Sequence, residues 1–322
     1  MFQNLHMNVF INGTGMCVPK KIISNLYFEK VGSSDNWIFN NLGIKERRIT
    51  VNESTSDLAS MAGIEAISNA GLTPDDIELI IVATSTPDKQ APSCASYVQN
   101  KIKAFNAGAF DISAVCTGAL YALSVAYQFI KTGTYKNVLV IGADTFSKVT
   151  DWKRRDSVFF GDGAGAIVLS QTEENKGFID FNLFSDGRGA EIFTIENKEP
   201  QNSESKSYFH MDGKGIYQGA TTAVPKAINK LLVKNNFSID EIDLLIPHQP
   251  SISILKSIAK DIGLPFEKVF TNMDKYANTS GATVSLAYHD ALQKGLLKDA
   301  KYILLAAVGS GMAWGSALYK FQ

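Results

Sequence analysis

The chain has no surplus of either charge: 31 Lys and Arg stand against 32 Asp and Glu, a net charge of -1. Binding to nucleic acid draws on a basic surplus that neutralises phosphates, so nucleic acid is not expected as a main partner. Long apolar runs are missing as well. No stretch approaches the roughly 18 to 20 residues that a membrane span needs, and the start, MFQNLHMNVFINGTG, lacks a basic segment followed by a long apolar one. A soluble, cytoplasmic protein without a membrane partner is expected. Cysteine is scarce: Cys17, Cys94 and Cys116 are an odd set with no C-x-x-C spacing. That argues against a disulfide framework and a structural zinc site, and no metal or bound redox cofactor is indicated.

What is present is a chain of 322 residues, 45% apolar and 20% charged, long enough for one large domain or two ordinary ones and too apolar for disorder. Short β-branched runs at 8–13, 78–84, 137–143, 166–170, 243–247 and 302–308 read as strands. Their continuous apolar character suits strands covered on both faces. Residues 56–70, 116–131 and 283–294 read as helices. The pattern is α/β, with helical layers around buried sheets.

An internal repeat organises these elements. DDIELII (75–81) matches DEIDLLI (240–246) at an offset of 165, and Val138-Leu139-Val140 meets Ile303-Leu304-Leu305 at the same offset. CTGALYALSVAYQFIKTG (116–133) resembles TSGATVSLAYHDALQKG (279–295) at an offset of 161 to 163. A duplicated fold is expected, two similar halves about a local two-fold axis, with equivalent turns meeting at one central site. Residues 1–171 would form the first half; 172–322 would hold a bridge and the second. The segment 171–215, with the polar loop 196–207, has no partner of that quality.

Cys116 follows the strand-like run FDISAV and precedes an apolar helix. Backbone N–H groups and the helix dipole there favour an anion, so a lowered thiol pKa and a ready nucleophile are expected, with a buried structural cysteine as the alternative. Of four histidines, His6 lies near the start, His210 in the bridging region and His289 inside a helix. His248 follows the strand DLLIP at its carboxyl end, where α/β sheets place ligand crevices. Asn278, in KYANTSGATVS, precedes the second-half helix and would cap it if it stood alone. Cys, His and Asn at three strand-to-helix junctions form a set for acyl transfer, although cysteine proteases use the same triad. FGDGAGA (160–166) and GSGMAWGSA (309–317) run into strands, so neither is a dinucleotide loop. The backbone N–H groups of Cys116 and Ser310 are candidates for an oxyanion hole.

SAVCTGALYAL, FGDGAGAIVL, LLIPHQPS, YANTSGATVS and GSGMAWGSALYKF, in this order, resemble β-ketoacyl-acyl carrier protein synthase III, a condensing enzyme of fatty acid synthesis with the thiolase fold. The similarity runs from about Val9 to the C-terminus, and DNWIFNNLGIKERRI (35–49) looks like the family's N-terminal signature. The resemblance implies a five-layered duplicated fold and a homodimer. It implies that Cys116 takes an acyl group from acyl-CoA, while His248 and Asn278 hold malonyl-acyl carrier protein as it loses carbon dioxide. Degradative thiolases carry a second cysteine in the last turn, where this chain has Ser310 and Met312.

Other features carry over unevenly. Trp37 matches the aromatic that stacks on the CoA adenine and Arg154 a basic residue holding the same nucleotide, but the family's other arginine falls on Asn41. An arginine that helps dock the carrier protein is replaced by Ser253, with Lys256 and Lys260 as substitutes on the same helix. Bulky acyl-pocket residues align with Ala91 and Val308, and smaller side chains there imply longer acyl groups. These departures also fit a specialised-metabolism relative that uses another acceptor. A cysteine hydrolase would release free acid without a malonyl partner, and a non-catalytic binding protein would form no adduct on Cys116.

Overall fold

A computed structural model describes residues 7–196 and 207–322, so His6 and nearly all of the 196–207 loop lie outside the described residues. Two sheets dominate. The first has the spatial order β1 (Asn8–Cys17), β7 (Gly163–Thr172), β6 (Asn137–Asp144), β4 (Leu79–Ala83) and β5 (Gly108–Ile112). The second has the order β8 (Gly177–Ser185), β13 (Ala313–Lys320), β12 (Tyr302–Gly309) and β11 (Leu244–Pro247). Two hairpin-like pairs flank them, β2 (Lys21–Ser24) with β3 (Glu46–Ile49), and β9 (Phe193–Ile195) with β10 (Phe209–Met211).

The apolar strands are apolar throughout because each side chain has helices to face. In β4, Leu79, Ile81 and Ala83 point to a central layer made by α4 (Gly118–Lys131) and α8 (Thr283–Gln293). Ile80 and Val82 point the other way, onto α2 (Thr55–Asn69) and α3 (Cys94–Ile102). In the second sheet Leu305 and Ala307 join the central layer. Leu304 and Ala306 pack instead with α5 (Gly213–Lys234) and α6 (Ile252–Ile262). Side chains that alternate between two covered faces leave no polar edge to the strand. Helices, sheet, helices, sheet and helices make five layers. The short helices α1 (Asp35–Leu42) and α7 (Met273–Tyr276) lie at one end of the outer cluster.

The duplication extends to register. Leu79 pairs with Val138 in parallel, and 165 residues on Leu244 pairs with Ile303 in the same way. Beyond them β6 meets β7 and β12 meets β13 antiparallel. The offset of 165 also holds at the helix starts, Gly118 and Thr283, which corrects the 161 to 163 expected there. The length difference lies at the far end. α8 has 11 residues against 14 in α4, and the left-handed glycines that follow, Gly133 and Gly295, are 162 apart. The segment without an apparent partner contains β8, which flanks β13 as β1 flanks β7. The halves touch closely at the axis. A Cβ on Gly142 of β6 would lie 2.1 Å from the carbonyl oxygen of Gly281, a contact only glycine allows.

Candidate active site

Each half contributes one turn to the centre. After β5 the chain reaches Val115, whose φ of +46° is strained for a β-branched residue, and then the 3-10 turn Val115–Thr117 that opens α4. Ser280, the equivalent residue of the second half, has φ +50° and opens the matching turn Ser280–Ala282. This geometry aims the Cys116 thiol across the axis, where it donates to the Ser280 hydroxyl at 3.6 Å. The expected lowering of the thiol pKa does not occur. Burial pushes it up to about 12, outweighing the Ser280 bond and a backbone bond that lower it, and the nearby Asp144 carboxylate adds to the rise. The resting nucleophile is a neutral thiol.

Asp144 is a site residue that the sequence does not reveal, standing at the end of an otherwise apolar strand. Fully buried, it accepts from Thr84 Oγ1 at 3.1 Å, Ser85 N at 2.8 Å, Thr86 Oγ1 at 2.9 Å and Gly281 N at 2.8 Å. It ties the first half to the turn that carries Ser280. Burial raises its pKa, and these bonds oppose the rise.

His248 follows β11 and extends its ladder, its N–H donating to the Ala306 carbonyl at 2.7 Å. Gln249 locks the turn by donating to the carbonyls of Pro247 and Phe270 while accepting from Asn272 N. The imidazole is buried, its Nδ1 has no partner among the described residues, and burial pushes its pKa down to about 3. It is therefore neutral and able to donate one N–H. Asn278 accepts from Ser280 N through Oδ1 at 2.8 Å, which leaves its amide NH2 as donor. Main-chain bonds to Phe159 and Gly161 hold it in place.

Cys116, His248 and Asn278 line one cavity of about 260 Å³, with Val308, Ser310 and Trp37 also in its wall. The last turn passes close beside the nucleophile, since a Cβ on Gly309 would stand 3.1 Å from Cys116 N. Ser310 donates its hydroxyl to the Phe193 carbonyl at 2.5 Å. Four expected residues stand outside this wall. Ala91 is exposed, on a loop held to the start of α2 where Ser56 N donates to Asp88 at 2.9 Å. Arg154 pairs with Asp156 and donates to the Phe209 carbonyl at 2.9 Å, so its half-buried guanidinium is engaged by the chain's own groups. Its neighbour Arg155, unnoticed in the sequence, lies over the Trp37 ring at 4.9 Å instead. Lys256 and Lys260 are exposed on α6, whose first turn reaches the cavity through Ser253 and Ile254. Asn41 donates to the Trp37 carbonyl at 2.8 Å. Among the described residues no three His, Cys, Asp or Glu are grouped to hold a metal, and no helix is long and apolar enough to cross a membrane.

A duplicated α/β fold with a thiol at the start of its central helix is that of the thiolase-like condensing enzymes, which are acyltransferases. Residues 110–187 match the family described as 3-oxoacyl-(acyl-carrier-protein) synthase III, and 232–321 match its C-terminal part. The chain is 42% identical to the β-ketoacyl-(acyl-carrier-protein) synthase III of Clostridium acetobutylicum over 98% of this chain and 99% of that one. The crystal structure of the Aquifex aeolicus VF5 synthase III superposes with a TM-score of 0.92 at 39% identity, covering 97% and 100% of the two chains. A priming β-ketosynthase from the R1128 polyketide pathway superposes at 0.91 with 27% identity, covering 97% and 96%. The chain belongs to the 3-oxoacyl-(acyl-carrier-protein) synthase III family and is a condensing acyltransferase.

Proposed function

We propose that this enzyme loads an acyl group from acyl-CoA onto Cys116 and condenses it with malonyl-acyl carrier protein, giving 3-oxoacyl-acyl carrier protein at the start of fatty acid synthesis in the cytoplasm. The observation that carries this reading is the convergence of Cys116, His248 and Asn278 on one cavity. In the first step the Cys116 sulfur forms a bond to the acyl carbon and CoA leaves as its thiol. The N–H groups of Cys116 and Ser310 are the donors proposed for the oxyanion. In the second step the malonyl carbon–carbon bond breaks and carbon dioxide leaves. The electron pair becomes an enolate, whose oxygen is stabilised by the neutral His248 N–H and the Asn278 amide. A neutral imidazole suits this role because it offers a donor without bringing a proton that would quench the carbanion. The enolate carbon then attacks the acyl thioester, and the Cys116 sulfur leaves.

Trp37 and Arg155 form the proposed grip on the CoA nucleotide, a planar ring and a guanidinium able to stack on a base. Lys256 and Lys260 are the proposed contacts for the acidic carrier protein. A homodimer is proposed as well, because β5 ends the first sheet with an edge unpaired among the described residues. A second reading keeps acyl-Cys116 and changes the acceptor. It is favoured by Ser253 at the cavity mouth, where the family resemblance expects an arginine.

Intact-protein mass spectrometry after incubation with acyl-CoA, then with malonyl-carrier protein, tests these readings. An adduct absent from Cys116→Ala and discharged into a β-ketoacyl product is expected. A stable adduct that malonyl-carrier protein leaves in place would select the second reading, and free acid released without it would indicate a hydrolase.

A further inference from the structure

Arg47, in β3, is the bulkiest fully buried side chain among the described residues. Its guanidinium donates to the Ile23 carbonyl at 3.2 Å, to Asn25 Oδ1 at 2.9 Å and to the Val158 carbonyl at 2.9 Å, and it lies over the Phe28 ring at 4.4 Å. All three acceptors are neutral, and Nε has no partner among the described residues. Burial pushes the Arg47 pKa down to about 9, so the group keeps its charge at neutral pH. A buried cation answered only by dipoles costs stability, and apolar side chains of similar volume often serve a core as well or better. Packing alone does not account for this charge.

Its partners give it a use. Val158 closes the turn Arg155–Val158, and Arg155 at the start of that turn lies over the Trp37 ring at 4.9 Å. Asn25 reaches the other side of the same contact. Its Nδ2 donates to Asp35 Oδ1 at 2.8 Å, in the first turn of α1, and to the Ile44 carbonyl at 2.6 Å, just past the end of that helix. The helix that carries Trp37 is thus held at both ends. Nη1 of Arg47 serves Ile23 and Asn25 while Nη2 serves Val158, so one planar fork spans both elements of the Trp37–Arg155 contact. A lysine ammonium, a point charge on a flexible stem, cannot copy that fork.

We infer that Arg47 is a positioning residue for nucleotide recognition: acting through Asn25 and Val158, it sets Trp37 and Arg155 in register with each other for the adenine nucleotide of CoA. The inference rests on the proposed nucleotide grip and adds the buried residue that aligns it. Arg47 itself touches neither the nucleotide nor the reacting atoms.

The test is the KM of Cys116 acylation for acetyl-CoA divided by that for acetyl-pantetheine, which lacks the nucleotide. It is measured in the wild type, Arg47→Met, Arg47→Lys, Asn25→Ala, Arg155→Ala and the double variant Arg47→Met with Arg155→Ala. Both values come from one preparation, so a smaller folded fraction leaves the ratio unchanged. Acylation is read because Asn278 N donates to the Phe159 carbonyl, next to Val158, which would mix a second effect into condensation. The ratio is expected to rise several-fold in Arg47→Met and Asn25→Ala, with Arg47→Lys between Arg47→Met and the wild type. Arg47→Met should add much less to Arg155→Ala than it adds to the wild type, as expected when one residue acts through the other. An unchanged ratio in Arg47→Met, or in Asn25→Ala where Arg47→Met does not fold, would overturn the positioning role and leave the grip standing, provided that Arg155→Ala raises it. Fully additive effects in the double variant would overturn the role as well. No rise in Arg155→Ala would remove the grip and the inference with it.

Discussion

The thiol of Cys116 and the hydroxyl of Ser280 meet 3.6 Å apart, one supplied by each half of the duplicated chain. Ser280 holds the place that Val115 holds in the first half, with nearly the same positive φ. The axis thus brings together two turns of one shape and different chemistry. One offers a nucleophile; the other offers Asn278, two residues before Ser280.

The first prediction concerns the proton on that thiol. With its pKa raised to about 12, the thiolate is a small fraction at neutral pH. Its share should climb about tenfold per pH unit between about pH 6 and pH 9. Alkylation of Cys116 by iodoacetamide, read by mass, should rise with that slope. A plateau near pH 7 would mean that the helix start dominates over burial.

His248 links pH to stability. Its folded pKa is about 3 against an ordinary 6.5, so the unfolded chain binds the extra proton between those values and stability is lost as pH falls below 6.5. Between pH 7 and pH 5 the loss from this group is about 2 kcal/mol. Urea unfolding at the two pH values should show that much less acid sensitivity in His248→Gln than in the wild type. Equal sensitivity would refute the assignment.

The two halves of the chemistry should separate by mutation. His248→Ala and Asn278→Ala are expected to retain acylation of Cys116 while condensation falls about 100-fold or more, the usual effect of removing an oxyanion donor. Acylation and condensation assays on the same preparations decide this. Equal loss of both would remove the proposed division of roles.

At the cavity mouth, Arg155→Ala is expected to raise KM for acyl-CoA several-fold while sparing reaction with an acyl-pantetheine that lacks the nucleotide. Steady-state acylation with both donors makes the comparison. A matching rise for both donors would place Arg155 in general stability rather than in nucleotide binding.

The duplicated core was legible because strands buried on both faces keep apolar residues at every position, so Leu79 to Ile81 and Leu244 to Ile246 preserve their likeness. The helix register was misread by two to four residues because matching Gly-Ala pairs stand in different places in the two turns. β8 resembles β1 only in its pairing, which no local pattern records. That Cys116, His248 and Asn278 line one cavity could be anticipated from their junctions. The thiol pKa could not, since it depends on burial by distant segments. Arg154 and Arg155 are adjacent and alike in type, so the sequence does not show that Arg154 pairs with Asp156 while Arg155 lies over Trp37.

Cys116, His248 and Asn278 share a single cavity of about 260 Å³, and on the proposed reaction this would impose a timetable on the enzyme. On the proposed reaction CoA would depart before the carrier-bound malonyl group enters, so the acylated enzyme would wait as a discrete species between two visits. Turnover would then be a relay: parallel double-reciprocal plots for the two substrates, inhibition by free CoA, and a waiting time that a scarce second substrate lengthens.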